Sequence, residues 1–255
     1  MCTAVILRRP DDAWPLVLAA NRDEQLTRLW SPPARHWPDR PDVIAGLDQL
    51  AGGTWMGLND TGVVACILNR HGTLGPQSGK RSRGELVLEA LDHADADDAA
   101  KALAEIDPAA YRPFNMVIAD NRDAFWITLR GQSNAAEIAP IPPGLSMLTA
   151  GELNDSSEGR IAAFQPKFAA APAPDPAAGD WAAWRTLLAA RGDAPASEAA
   201  MNFLMPSGFG TSSSSLLALP SSDAAFDSGI RPVWLFAAGR PDEAAFKTIE
   251  LSILP

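Results

Sequence analysis

The chain opens on two short apolar runs, Thr3–Leu7 and Leu16–Ala20, separated by the polar, turn-forming segment Arg8-Arg9-Pro10-Asp11-Asp12. That pattern predicts a β-hairpin. Residues 53–58 and 63–68 form a second pair of runs around Asn59-Asp60-Thr61-Gly62, whose turn chemistry predicts another hairpin. Phe114–Ala119 and Ala124–Leu129 flank Asp120-Asn121-Arg122-Asp123 in the same way. Further strands are expected at Glu137-Ile138, Met147–Thr149, Ser215–Leu219, Val233–Ala237 and Phe246–Leu251.

Helical signals are interleaved with these strands in blocks. Ser82-Arg83-Gly84-Glu85 has the form of a capping box, and Leu86, Val87, Leu88, Ala90 and Leu91 follow it, so a helix is expected to about His93. Others are expected at Asp98–Glu105, Ser156–Phe164, Trp181–Arg191 and Ser197–Leu204, with an Ala/Pro-rich connector at Ala169–Ala178. Residues 25–50 are rich in Pro, Arg and Trp without a clear period and read as a long ordered loop, a length that usually goes with function. Blocks of strands alternating with blocks of helices predict an α+β fold, not a doubly wound parallel sheet.

The 255 residues are 47% hydrophobic and 20% charged, enough to bury a substantial core. The net charge of -10, with Lys80-Arg81-Ser82-Arg83 as the one short basic cluster, argues against nucleic acid as a partner. Two cysteines and three histidines without zinc spacing point to neither a disulfide scaffold nor a metal site. The N-terminal segment lacks the basic region and apolar length of a signal peptide, and no run approaches the ~20 apolar residues of a membrane span. A soluble cytoplasmic protein is therefore expected, and self-association into a homo-oligomer is compatible with that reading.

Chemistry concentrates near the N-terminus. Cys2 follows Met1, and its small side chain permits Met1 removal. The freed α-amine, with an ordinary pKa of ~7.7–8.0, can serve as base for the thiol of the same residue. The bland alternative is that position 2 merely tolerates any small residue. Asn21-Arg22-Asp23-Glu24 directly follows an apolar run and is expected at a strand's end, where it forms either a site beside the first strand or a solvated turn. Alternation would put Asn21 and Asp23 on one face and Arg22 on the other. Asn69 ends another apolar run, where its amide can either donate to an oxyanion or close a turn. Trp55, after Gly52-Gly53-Thr54, walls a pocket or packs the core. Arg83 stands at a helix start, where the dipole disfavours cations, and so is a candidate ligand contact. With Arg8, Arg9, Arg70 and Arg81 it could receive an anionic group or form a solvated surface. Cys66, inside an apolar strand, reads as a buried small hydrophobe, and Ser212–Ser215 reads as a polar loop entering a strand.

These elements resemble the NRDE family, also called the transport and Golgi organisation family. The resemblance rests on Met1-Cys2, residues 18–24, residues 52–57, Asn69, residues 81–86 and Phe114-Asn115 occurring in that order. The N-terminal layout is also similar to the cysteine N-terminal-nucleophile (Ntn) amidases, the bile-salt hydrolase and penicillin V acylase group. That similarity implies a single Ntn-hydrolase-like domain over residues 1–255, a four-layer αββα sandwich with mostly antiparallel sheets. It implies Cys2 as nucleophile, Asp23 at the α-amine, Asn69 in the oxyanion hole, and Asn21 and Arg22 beside them. Arg70, Arg83, Trp55 and Asn154 become candidate substrate-binding residues. The implied activity is hydrolysis of a non-peptide C–N bond in a small-molecule amide, without a cofactor. The family resemblance implies an alternative: binding of haem or of an acyl-CoA-like amphiphile in lipid homeostasis. The sequence departs from the amidases where Ala20 replaces an expected Arg, where Ala150-Gly151-Glu152 replaces an expected Asn, and near Ser212, where a later Arg is expected.

Overall fold

The computed structural model describes residues 2–131, 133–191 and 199–251. Along the described chain run β1 (Thr3–Arg8), β2 (Leu16–Gln25), β3 (Trp30–Ala34), β4 (Val43–Asp48), β5 (Met56–Asn59), β6 (Val64–Asn69), α1 (Gly84–Leu91) and α2 (Ala96–Ala104). There follow β7 (Phe114–Ala119), β8 (Ala124–Leu129), β9 (Glu137–Pro140), β10 (Gly144–Leu148), α3 (Gly159–Ala170) and α4 (Ala182–Leu188). The chain closes with β11 (Phe209–Leu219), α5 (Ser222–Ser228), β12 (Val233–Ala237) and β13 (Phe246–Thr248). The order bears out the α+β reading, and every strand pairing within each of the two sheets is antiparallel.

One compact unit comprises the segment up to Arg28 together with Pro143–Ile249. Its six strands lie in the order β10-β1-β2-β11-β12-β13. Val5, Val17, Ala19, Met147, Leu216 and Leu235 share one face of this sheet, as two-residue alternation requires. They pack in one buried cluster with Ile161, Phe164 and Phe168 of α3 and Trp184 and Leu188 of α4. Burial of such apolar area contributes about 25 cal/mol per Å² and fixes the helices over this face.

The other unit is built on Leu29–Pro142, with seven strands in the order β3-β4-β5-β6-β7-β8-β9. Leu86, Val87 and Leu91 of α1 and Ala99 and Leu103 of α2 bury against Ala65, Met116, Ile118 and Ile127. The Gly53 and Gly84 backbones cross here. A Cβ on Gly53 would lie 2.6 Å from the Gly84 carbonyl carbon, and Thr54 N–H donates to Gly84 O at 3.0 Å. Two of the motifs that stand far apart in sequence thus meet, and glycine at both allows the contact.

Several expectations are corrected. Residues 25–50 are not one loop: they contain β3 and β4. Pro32 and Pro33 hid β3, but β3 is an edge strand with an irregular register between Ser31 and Ala34, where missing N–H donors are tolerated. Asn21–Glu24 lies inside β2, which continues to Gln25 because β11 pairs with it over that whole length. Ser212–Ser215 is buried strand, not loop, for the same reason. The capping box does not form. Arg83 is the N-cap residue and makes no side-chain cap, while the Glu85 carboxylate accepts from Tyr111 Oη at 2.6 Å and pairs with Arg81. Helix α3 starts later and runs longer than expected, to Ala170. Of the helix expected at 197–204, residues 197–198 lie outside the described residues, and 199–204 are turns, bends and an isolated bridge to Gly210.

Candidate functional site

Strand pairing brings the N-terminal residues together. Thr3 stands opposite Asn21, and Thr211 opposite Asp23. Cys2, one residue before β1, places its thiol against the Asp23 backbone: Asp23 N–H donates to Sγ at 3.4 Å, and the thiol donates to Asp23 O at 3.6 Å. Cys2 keeps partial solvent access. Burial pushes its thiol above the ordinary value and the Asp23 carboxylate adds to this, while the Asp23 backbone bond and Arg22 pull the other way.

The Asp23 side chain points to the helix-bearing face. Arg160 Nη1, from the first turn of α3, donates to Asp23 Oδ2 at 2.8 Å and to Thr3 Oγ1 at 2.7 Å. Thr211 Oγ1 donates to Asp23 Oδ1 at 2.9 Å. Arg160 and Asp23 side chains are 1% and 0% exposed. The Arg160 guanidinium also lies over the Phe203 ring, 5.4 Å from its centroid. One guanidinium nitrogen therefore ties together the residue after Cys2 and the residue whose backbone holds the Cys2 sulfur.

Asn21 is fully enclosed and bonded to the protein. Its amide donates to Leu188 O at 3.0 Å and Met201 O at 2.8 Å, and Oδ1 accepts from Ser214 Oγ at 2.6 Å. It ties β2 to α4 and the segment before β11. Arg22 alternates to the opposite face, where Nη1 donates to Ser212 Oγ at 3.0 Å. Asn154 has a left-handed backbone, φ 59°, and closes the turn after β10. Its Oδ1 accepts from Met147 N–H at 2.7 Å and Gln165 Nε2 at 2.8 Å.

The remaining candidates belong to the other unit. Asn69 ends β6 opposite Phe114, on the face that carries the α1 and α2 core. Arg70 therefore turns to the opposite face, where Nη1 donates to Asn115 Oδ1 at 2.8 Å and Thr128 Oγ1 at 3.0 Å. Arg83 binds backbone: Nη1 donates to Pro113 O at 2.8 Å and Thr73 Oγ1 at 3.0 Å, and Nη2 to Thr73 O at 2.9 Å. Trp55 meets Trp30 edge-to-face at 5.7 Å and packs over Gly46. Among the described residues, Asp95, Asp97 and Asp98 bring ligand atoms within 4.8 Å of one another. They cap and open α2, and pair with Arg122 and Lys101, so their geometry is accounted for without an ion.

Arg160 and Thr211 are the parts of this site that sequence reading missed. For Arg160 a signal existed. It lies on the same helical stripe as Phe164 and Phe168, at four-residue spacing, and a cation on an otherwise apolar stripe implies a buried partner.

Comparisons with known proteins agree with this architecture. The chain is similar to the Caenorhabditis elegans N-acylethanolamine-hydrolyzing acid amidase ortholog, with TM-score 0.58 and 13% identity over 91% of this chain and 98% of that one. It is similar to penicillin V acylase from Agrobacterium tumefaciens, with TM-score 0.57 and 13% identity over 93% and 83%. A mutant conjugated bile acid hydrolase from Clostridium perfringens gives TM-score 0.50 and 12% identity over 98% and 97%. These likenesses establish the Ntn-hydrolase-like fold. No curated protein sequence matches the chain. No described helix is long and apolar enough to cross a membrane. The model of the Transport and Golgi organisation 2 family matches residues 1–172, which include Cys2, the Asp23–Arg160 pair and the Gly53–Gly84 crossing, and the chain belongs to that family.

Proposed function

We propose that this protein is an N-terminal cysteine hydrolase that cleaves the C–N bond of a small-molecule amide. The observation that carries the reading is the Cys2 thiol seated on the Asp23 backbone, with the Asp23 carboxylate fixed by Arg160 and Thr211. Removal of Met1 frees the Cys2 α-amine. That amine takes the thiol proton as sulfur bonds to the amide carbon. The resulting ammonium returns the proton to nitrogen as the C–N bond breaks, leaving a thioester. Water then cleaves the C–S bond, releasing the acid and restoring the thiol. The Asp23 carboxylate holds the ammonium electrostatically. The structurally similar enzymes named for N-acylethanolamines, penicillin V and conjugated bile acids suggest the amides to assay first.

The test is intact mass and N-terminal sequencing of cell-expressed protein, followed by hydrolysis of those three amides. Activity confined to chains lacking Met1, and lost in Cys2→Ala, is expected. Retention of Met1 in active protein, or full activity in Cys2→Ser, overturns the reading.

A second reading is a carrier of haem or of an acyl-CoA-like amphiphile. It is favoured by the segment Ala150-Gly151-Glu152, which stands where the amidase resemblance implies an Asn. A Cβ on Gly151 would lie 2.4 Å from Glu158 Oε1, so the Glu158 carboxylate fills the space a side chain would take there. Saturable haem binding, seen as a Soret shift and unchanged by retention of Met1, supports it; a flat titration removes the haem form.

A further inference from the structure

The face of the six-stranded sheet that carries the Cys2 thiol is chemically different from the face that carries Asp23. Thr3 stands opposite Asn21 and turns to α3, since its hydroxyl meets Arg160, and the same register continued by one residue sets Cys2 opposite Arg22. Alternation along β2 puts Ala20, Arg22 and Glu24 on the Cys2 side and Asn21 and Asp23 on the other. Asp23 pairs with Arg160 on its own face, and its carboxylate still acts on the thiol. Arg22 extends from the other face of β2.

Arg22 is 6% exposed and its guanidinium is held in place. The register of β2 and β11 shifts between Thr211 and Ser213, which makes Ser212 an extra residue opposite Arg22. Such bulges turn an extra side chain towards the strand partner and are frequent beside active sites. Here Ser212 Oγ accepts from Arg22 Nη1 at 3.0 Å and donates to Arg22 O at 3.1 Å, so the bulge grips both ends of the residue. The carboxylate of Glu24 is 3.8 Å from Arg22 Nη2, beyond hydrogen-bond length, and equally 3.8 Å from Arg28 Nε. One carboxylate is shared between two guanidiniums. Burial and the Asp23 carboxylate raise the pKa of the thiol, and Arg22 is a smaller influence that draws it down. Side chains flanking it on this face are small: Ala4, Ala20, Ser213 and Ser215.

We propose that Arg22 is a specificity-determining residue that makes the Cys2 site select molecules carrying an oxyanion, carboxylate or phosphate, close to the group presented to the thiol. This rests on Cys2 being the reactive residue and deepens the proposed function by assigning a charge class to its substrate. A fixed, poorly hydrated guanidinium with fork-shaped donors suits such a group better than a flexible surface cation.

The test uses two small alkylating probes that differ in charge, iodoacetate and iodoacetamide. Each forms a sulfur–carbon bond at Cys2 as iodide leaves and the thiol proton passes to buffer. Rates are measured at one pH and low salt by mass mapping of the N-terminal peptide, which separates Cys2 from Cys66. A free cysteine peptide supplies the reference. The iodoacetate-to-iodoacetamide ratio cancels the thiolate fraction. In the wild-type protein this ratio is expected to exceed the peptide's by about tenfold, equivalent to ~1.4 kcal/mol of added attraction. It should fall to the peptide value in Arg22→Gln, stay raised in Arg22→Lys, and drop partway in Ser212→Ala. A wild-type ratio equal to the peptide's overturns the proposal, as does a raised ratio that survives in folded Arg22→Gln. If Arg22→Gln does not fold, the wild-type ratio and Ser212→Ala decide the matter. Alkylation needs neither turnover nor Met1 removal, so failure of the hydrolase reading leaves this result standing.

Discussion

Arg160 and Asp23 form an ion pair at 2.8 Å with both side chains buried, joining the first turn of α3 to β2. Removing one partner of such a pair leaves the other charged and uncompensated, at a cost of about 3–5 kcal/mol. Arg160→Met is therefore expected to lower unfolding stability by that amount in urea titration. Arg160→Lys should lose less, since its ammonium keeps the charge and has donors for both Thr3 and Asp23, and gives up only the flat contact with the Phe203 ring. In the folded Lys variant the pH dependence of Cys2 alkylation should shift, which a purely scaffolding role would not produce.

The thiol of Cys2 gives a pH prediction with a definite sign. Burial and the Asp23 carboxylate raise its pKa, so the folded protein binds that proton more tightly than the unfolded chain. Its contribution to stability is complete below the ordinary thiol value and is lost as pH rises through the folded value. Iodoacetamide should accordingly reach half-maximal rate at a higher pH in folded protein than in urea. Arg22→Gln, which removes an opposing influence, should move that midpoint further up. A midpoint at or below the unfolded value would contradict this.

Gly210 tests how the floor under Asp23 is set. A Cβ there would lie 2.4 Å from Phe203 O and 2.9 Å from Leu204 Cα, both backbone atoms that cannot turn away. Thr211 N–H donates to Phe203 O at 3.0 Å, so displacing that segment also displaces the Thr211 hydroxyl from Asp23. Gly210→Ala should cost about 1–3 kcal/mol by overpacking, measured by thermal melting. Gly131→Ala, whose Cβ meets Pro113 Cγ at an ordinary 3.6 Å, should change little.

Arg83 stitches the segment after β6 to the approach of β7 through Thr73 O and Pro113 O. Arg83→Ala should expose residues 72–75 to faster amide exchange and cost about 1–3 kcal/mol for the lost hydrogen bonds to Thr73 O and Pro113 O, although Pro113 O keeps the Thr73 hydroxyl. Arg83→Lys should restore part of this, because one ammonium cannot reproduce the fork. A variant with unchanged exchange and stability would return Arg83 to the candidate ligand contacts.

Short-range signals in the chain were enough for its local elements. Apolar runs around Asn59–Gly62 and Asp120–Asp123 set two hairpins, since turn chemistry and alternation are short-range and legible. The apolar run before Asn69 likewise placed that residue at the end of a strand. Tertiary structure decided which face each side chain occupies and what holds it. Residues 30–34 became an edge strand despite two prolines, and Asn21–Glu24 stayed in a strand, because pairing partners far along the chain supply the hydrogen bonds. Asn21 and Asp23 were expected to share a face, which the strand alternation bears out. That Arg160, 137 residues away, would supply the cation beneath Asp23 is a consequence of helix α3 packing beside β10 in the core cluster that β1 and β2 share. No local rule carries that information, because a buried charge is stable only where the fold delivers its partner.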